Sequence, residues 1–444
     1  MELHVGVDDV DSPDGYCTSY LGYLLTLELH KRGARLLDLP YLVRLNPNIP
    51  FKTRGNAAVS IHVDVSEDEV PEVIELVENL VMEHSEQHGK TSPGFAIAKG
   101  RVNSVLRELY NTALTSIVPR GYVEEIVKEG SAETIVTGGR KEKRGVIGAL
   151  AAIGAYPLED YTYELLVYRS PTLRGHKTSF SEDVILDIDR RYRPIIFATY
   201  DYSEERLLAV PRGPDPVLLG LRSVSVYALI EVLDKYLSPH AKEIGAEGFI
   251  LYKSNQATNA HLRRRKQIAD IRPYDSVVVS GVVWDEPVAV EGGHVKVRVC
   301  DGSGCINSMF YKETGRLNRA ARLLRMGDEV EIGGGVVPRK GLTLNAEFLR
   351  VLSLKTAVNI LNPPCPVCGA RMESAGRNKG FKCSKCGYRS RHLQKIREEL
   401  PRVLEPSLYV QSMRAYRHLT RPLEIQGLSS EPSPTFSPIA GTFY

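Results

Sequence analysis

The chain has 444 residues, of which 43% are hydrophobic and 25% charged, with a formal net charge of +3. That length exceeds one typical core and predicts about three domains at roughly 150 residues each, while the composition excludes a disordered or fibrous protein. No run of about eighteen apolar residues occurs and no charged leader precedes an apolar core, so the expectation is a soluble, cytoplasmic protein with no membrane partner.

Leu3, Val5 and Val7 alternate with His4 and Gly6 as a half-buried strand would, and the strand runs out at Val7-Asp8-Asp9-Val10-Asp11-Ser12, followed by Gly15-Tyr16-Cys17-Thr18. Leu21, Leu24, Leu25 and Leu29 then repeat at helical spacing until Gly33 supplies a stop. The intervening loop therefore ends at a helix N-terminus, where free amides and the helix dipole favour phosphate. Asp8, Asp9 and Asp11 would repel phosphate unless a divalent cation lay between, and Mg²⁺ uses one or two carboxylates plus phosphate oxygens. The acids and the cradle explain each other as a magnesium-nucleotide site. The plainer alternative is that Asp, Ser and Gly are present only as turn formers.

Val59, Ile61, Val63 and Val65 alternate with Ser60, His62 and Asp64, and an amphipathic stretch follows from Val70 to Val81, which makes the first unit mixed α/β. Between these elements, Arg44 to Asn56 carries Pro47 and Pro50 as stiffeners and gathers Arg44, Lys52 and Arg54, the pattern of a ligand loop. A second basic loop, with Arg140, Lys141, Lys143 and Arg144, precedes an Ala-rich helix, and either loop suits phosphate. There is no Walker A sequence, dinucleotide glycine fingerprint or zinc-protease helix, so bound ATP would occupy a less common cradle.

A second unit starts near Tyr161, with strands expected over Tyr163 to Tyr168, Pro194 to Thr199, Leu207 to Val210 and Gly248 to Tyr252, and a helix through Val226, Leu229, Ile230 and Leu233. Strands interleaved with helices in so short a span predict an α+β sandwich of ferredoxin-like type. Arg212-Gly213-Pro214-Asp215 forms a stiff loop exposing one cation and one carboxylate, either a functional loop or a plain turn.

From Asp275 to Leu354 short Val-rich strands surround one helix, Leu317 to Arg325, as in a five-stranded OB barrel. Such barrels bind single-stranded nucleic acid through a basic groove and stacking residues, for which Trp284, Phe310 and Tyr311 are candidates alongside a core role. Cys300 and Cys305 are expected to be free thiols in the core or at strand ends. Cys365-Pro366-Val367-Cys368 and Cys383-Ser384-Lys385-Cys386, separated by fourteen residues, have zinc-ribbon spacing. Four thiolates close a tetrahedral Zn²⁺ site and leave no position for water, so the metal is structural, and a dithiol redox pair is the rival. Seven cysteines used this way fit a reducing compartment. From Arg371 to Arg402 there are ten Lys or Arg against three acids, and from Lys253 to Arg272 six against one, either polyanion patches or solvated faces. After Tyr409 the chain thins into Ser429-Ser430-Glu431-Pro432-Ser433-Pro434 and a tail expected to be flexible.

Taken together, these segments resemble the archaeal tRNA-isoleucine 2-agmatinylcytidine synthetase family over nearly the whole chain. The resemblance rests on Gly6 to Ser12 with Gly15 to Thr18, Val43 to Pro50 with Lys52 to Asn56, Gly145 to Gly154, Gly213 to Leu218, and Ser254 to Thr258. It implies a multidomain α+β protein: an ATP-binding kinase-like α/β domain over 1–158, a ferredoxin-like domain over 159–270, an OB-fold domain over 271–356, a zinc ribbon over 357–393, and a C-terminal helical segment with a flexible tail over 394–444.

It also implies ATP-dependent joining of agmatine to C2 of the wobble cytidine in the CAU anticodon of isoleucine tRNA, through phosphorylation of the C2 oxygen. On that resemblance Asp8, Asp9 and Asp11 hold Mg²⁺ and orient ATP, and Ser12, Gly15, Arg44, Lys52, Arg54 and Arg212 are candidate ATP or phosphate contacts. Thr18 occupies the position of a threonine that the family's kinase-like domain phosphorylates, with a helix cap as its alternative role. Agmatine's guanidinium calls for a carboxylate, for which Asp215 is the candidate, with the metal as its alternative partner. Barrel and ribbon would grip the remaining tRNA, mostly through phosphates. The competing classes are a non-catalytic nucleic-acid-binding protein and a tRNA-modifying enzyme that uses another amine.

Overall fold

The computed structural model describes residues 1–12, 15–52, 54–86, 91–129, 134–140, 143–170, 181–211, 216–339, 341–433 and 439–443. The first unit contributes β1 (Glu2–Asp8), α1 (Thr18–Lys31), β2 (Tyr41–Arg44), β3 (Ala57–Asp64), α2 (Val70–Glu83), β4 (Gly94–Lys99), α3 (Ser104–Thr115), α4 (Arg120–Glu129), β5 (Ile135–Gly139) and α5 (Gly145–Gly154). The second adds β6 (Thr162–Arg169), α6 (Glu182–Tyr192), β7 (Ile196–Phe197), β8 (Val217–Ser223), α7 (Val226–Val232) and β9 (Ala246–Ser254). Their principal strands form one continuous sheet in the order β5-β4-β1-β3-β2-β9-β6-β8-β7. The two units join where β2 and β9 pair in parallel, Tyr41 opposite Lys253 and Leu42 opposite Ser254.

β1 is buried on both faces, not half-buried as its alternation suggests. Leu3, Val5 and Val7 pack with α1 and α2, while His4, Gly6 and Asp8 point to the opposite face, where α5 lies. Gly6 lets that helix close in, because a Cβ there would overlap the carbonyl of Ala149. On the same face His4 and His62 share a hydrogen bond between their Nδ1 atoms at 2.9 Å, and His62 Nε2 meets the Ser60 hydroxyl at 3.1 Å. Burial holds His62 well below the ordinary histidine range and lowers His4. A histidine depressed in the folded state stabilises fully above its unfolded pKa of about 6.5 and loses that contribution as pH falls below it. The unfolding free energy of the wild type, measured against His62→Gln in denaturant, should therefore decline below pH ~6.5 by up to about 1.4 kcal/mol per pH unit. A difference independent of pH from 7.5 to 5.5 would contradict this.

The third unit is a closed five-stranded barrel of β10 (Ser276–Val283), β11 (His294–Cys300), β12 (Cys305–Phe310), β13 (Glu329–Pro338) and β14 (Leu342–Ser353), with α8 (Arg316–Leu323) between β12 and β13. Pairing runs β10-β13-β14-β12-β11 and closes between β11 and β10, with β12 and β14 parallel. Phe310 is core, Tyr311 is half-buried and bonded to Asn345, and Trp284 is 56% exposed. Cys300 and Cys305 are not thiols but a disulfide: they lie directly opposite each other across the β11–β12 hairpin, a cross-strand register that spacing alone did not reveal.

The C-terminal segment differs from expectation. After residue 394 the described residues hold no α-helix, only single 3₁₀ turns at Met413–Ala415 and Leu423–Ile425. Nor is the described part of the Ser/Pro stretch, up to residue 433, loose: the Tyr163 hydroxyl donates to the Glu431 carbonyl at 2.6 Å, and the Ser430 hydroxyl donates to the Tyr161 carbonyl. Ala440–Thr442 forms β15, pairing with the part of β9 that β2 leaves open. An unpaired length of a central strand is a strong attractor for any extended segment, whatever that segment's composition.

Candidate functional site

Two cavities adjoin along the loop from Arg44 to Asn56. The first, about 150 Å³, takes its polar wall from Asp8, Asp9, Lys52 and Arg144. Asp8 ends β1 on the face of Gly6, so its carboxylate lies on α5 at Gly148, where a Cβ would overlap it. Asp9 follows in a left-handed conformation with φ +62°, which turns its side chain toward the start of α5. Its Oδ2 accepts from the Ser92 amide at 3.0 Å and from the Arg144 guanidinium at 2.7 Å. Burial pushes Asp8 well above the usual carboxylate range, and repulsion from Asp9 and Asp11 adds to it. Asp9 is also raised by burial, but Arg144 and the Ser92 amide hold it back. Burial and its neighbour Arg417 lower Lys52.

The second cavity, about 310 Å³, contains Asp11, Thr18, Arg44, Glu164, Arg222 and His418. Glu164 projects from β6, 3.7 Å from the Arg44 guanidinium and 3.4 Å from that of Arg222. Arg222 also bonds His418 Nδ1 at 3.1 Å. Arg44 first, then burial and Arg222, hold His418 well below the ordinary histidine range, so its ring is neutral. Gly55, with φ +70°, clears space for the Arg44 guanidinium, which would be 2.7 Å from a Cβ there.

Asp8, Asp9 and Asp11 thus do not form one three-carboxylate cluster. Among the described residues the group of potential ligands whose atoms converge is the cysteine set, and Asp11 faces the second cavity, not the first. The reason is local: Asp11 accepts from the Thr18 amide at 3.2 Å and from the Thr18 hydroxyl at 3.3 Å. The carboxylate of Asp11 therefore occupies the place at the opening of α1 that was expected to cradle phosphate, and Thr18 is the residue capped, not the cap. At α5 the amides of Arg144 and Gly145 are taken by the Ser92 hydroxyl and carbonyl. Ser12 and Gly15 shape the loop through a backbone bond at 3.3 Å and line neither cavity. Arg212 and Asp215 lie outside the described residues, as do Lys141 and the side chain of Arg54. Pro211 and Val217, which flank residues 212–215 in sequence, border the second cavity.

Sequence reasoning missed Glu164, Arg222 and His418. The first two had a usable signal, a charged residue inside an otherwise apolar strand, which is rarely buried unless paired. His418 had none, because it reaches the site from the far end of the chain.

The four cysteines of the ribbon place their sulfurs within 4.8 Å of one another, with Cys365 and Cys386 at 3.5 Å and Cys368 and Cys383 at 3.5 Å. That donor set fits Zn²⁺. The two basic stretches separate physically. Lys253, Arg263, Arg264, Arg265 and Lys266 are each paired, with Asp38, Asp160, Glu108, Glu331 and Asp275, so most of that stretch holds units together. In the ribbon, Arg377, Lys379, Lys382, Lys385, Arg389 and Arg391 are exposed and have no ion-pair partner among the described residues.

Three family models match the chain: the TiaS TCKD domain over residues 4–138, the TiaS FLD domain over 143–261 and the TiaS C-terminal zinc ribbon domain over 362–404. The chain is 52% identical to the isoleucine-2 tRNA 2-agmatinylcytidine synthetase TiaS of Thermofilum pendens, over 96% of this chain and 95% of that one. It is similar to the crystal structure of TiaS in complex with isoleucine-2 tRNA and ATP, with a TM-score of 0.83 and 33% identity, covering 97% of this chain and 99% of that one. A complex of TiaS with isoleucine-2 tRNA, AMPCPP and agmatine matches with a TM-score of 0.80 and 31% identity, over 97% and 99% of the two chains.

Proposed function

The chain belongs to the isoleucine-2 tRNA 2-agmatinylcytidine synthetase family, and from that premise we propose how its two cavities divide the reaction. The protein is an ATP-dependent tRNA-modifying enzyme that makes agmatidine on the isoleucine-2 tRNA, using agmatine as the small-molecule substrate. One observation carries the division of labour: carboxylates and cations together line two adjoining cavities that share the Arg44–Asn56 loop.

The first cavity is the phosphate pole. Asp8 and Asp9 fit Mg²⁺, because two buried carboxylates whose charge is disfavoured welcome a cation, and the ion typically adds phosphate oxygens to one or two such ligands. Asp8 and Asp9 would hold the ion, whose charge would offset that of the phosphates during phosphoryl transfer. Lys52 and Arg144 contact the phosphates of ATP, with Arg54 on the same loop, while Ser12 and Gly15 set the shape of the loop that carries the acids. Asp11 is a positioning residue that holds Thr18 at the second cavity, and the threonine hydroxyl receives or relays a phosphoryl group, a reading supported by its bond to Asp11.

The second cavity is the amine pole. Glu164, balanced by Arg44 and Arg222, meets the guanidinium of agmatine together with Asp215, two residues before the cavity-lining Val217 in sequence, with Arg212 toward nucleotide or RNA. His418, held neutral, adds no further positive charge against the incoming agmatine. Phosphorylation of the cytidine C2 oxygen creates a leaving group. The amine nitrogen then bonds to C2, the C–O bond breaks to release phosphate, and the amine sheds its proton.

The α/β head is the kinase-like domain. The second unit follows a ferredoxin-like plan, supported by the order β9-β6-β8-β7 with every pairing antiparallel. The barrel is an OB-fold, supported by its strand order and by a helix between its third and fourth strands. The protein acts in the cytoplasm on tRNA, and no helix among the described residues is long and apolar enough to cross a membrane. Labelled agmatine should enter unmodified CAU-anticodon isoleucine tRNA only when ATP is present. Incorporation without ATP, or none with it, would refute the assignment.

A further inference from the structure

A third cavity, about 570 Å³ and larger than either reaction cavity, lies where α8 of the barrel, residues 410–424 and the turn after Asp201 meet. Its groups make opposite demands on an occupant. Arg316 and Arg319, one helical turn apart, are exposed and have no side-chain partner among the described residues. Asp201 is 3% exposed and accepts from the Ser203 amide at 3.0 Å and the Ser203 hydroxyl at 2.6 Å through Oδ1, while its Oδ2 has no hydrogen-bond partner. Tyr202 is 46% exposed, its hydroxyl tied to Asp189 at 2.7 Å and its ring edge-on to Tyr200. Two further ion pairs, Arg193–Glu424 at 2.7 Å and Arg414–Glu204 at 2.8 Å, consume the other charges of the walls.

A simple anion would be repelled by Asp201, and a basic peptide by Arg316 and Arg319. An unpaired RNA nucleotide satisfies all three demands at once: phosphate for the arginines, a base N–H for the free carboxylate oxygen, and a flat ring for Tyr202. Position narrows the choice. Tyr416 lines this cavity and His418 the amine pole, so only about 7 Å of extended chain separates their walls. Resting on the tRNA-modifying function above, we propose that this cavity holds a nucleotide of the anticodon loop adjacent to the reacting cytidine, with Asp201 accepting from its base and Arg316 and Arg319 gripping its phosphates.

The test uses the full chain and unmodified CAU-anticodon isoleucine tRNA. Arg316→Ala with Arg319→Ala, both on an exposed face, should raise the tRNA Kd about tenfold and lower the slope of log K against log salt by about 1.4, at roughly 0.7 per single-strand phosphate contact, with ATP binding unchanged. An abasic nucleotide on one side of the wobble cytidine should weaken binding to the wild type about tenfold and add little further loss to Tyr202→Ala, because both remove the same stack. Wild-type affinity and salt slope in the double variant, or indifference of the wild type to abasic substitution on both sides, overturns the nucleotide cavity alone. Failure of the wild type to bind this tRNA at all would overturn the parent function with it.

Discussion

Asp8→Asn should reduce ATP-dependent agmatine incorporation by about 10³-fold or more, a loss of roughly 4 kcal/mol of transition-state stabilisation, while tRNA affinity stays within twofold. The substitution is isosteric, and it removes a carboxylate that burial and its neighbours already disfavour, so the fold should not suffer. What it removes is the charge facing the proposed phosphate pole. Gly148→Ala provides a second route to the same defect. A Cβ there collides with the Asp8 carboxylate, which must leave its place although its charge remains. If both variants lose incorporation and both keep tRNA affinity, position and charge are both required. Asp8→Asn retaining incorporation within tenfold of the wild type would remove Asp8 from the reaction.

Part of this site is legible in the sequence, and the misses have physical causes. The strand, the acidic loop and the helix after it followed from periodicity and punctuation, and β1 and α1 lie where that pattern puts them. Grouping the three aspartates failed because sequence proximity does not fix direction. Left-handed Asp9 and the bond from Thr18 to Asp11 send successive carboxylates into different cavities. Glu164 and Arg222 come from strands more than a hundred residues away, brought in by the parallel junction of β2 with β9. No local pattern encodes that junction, and none encodes the return of β15 to the remaining edge of β9. Charge runs proved ambiguous in a specific way: five cations between Lys253 and Lys266 look in sequence like those of the ribbon, yet each has an acidic partner from elsewhere in the chain. Whether a basic run is free for RNA depends on acids that its own sequence does not contain.

That contrast sets the second large effect. The ribbon's buried cluster is only Cys365, Met372, Phe381 and Cys383, too little apolar surface to fold by itself, so its stability must come from the metal. Cys383→Ser, or chelation of the wild type, should abolish bound zinc and unfold the ribbon while leaving the continuous sheet and both reaction cavities intact. The exposed, unpaired cations from Arg377 to Arg391 would then lose their fixed arrangement. If about four of them contact phosphates, the slope of log K against log salt for tRNA should fall by about 3.6, and affinity near 0.15 M salt by roughly 10³-fold. ATP binding should be unaffected, because no ribbon residue lines either reaction cavity. At saturating tRNA, incorporation should recover most of its wild-type rate if the ribbon acts on capture and not on chemistry. Zinc-free protein that binds tRNA with wild-type affinity and salt dependence would take the ribbon out of recognition altogether. Saturation with tRNA without recovery of rate would place it in the chemical step.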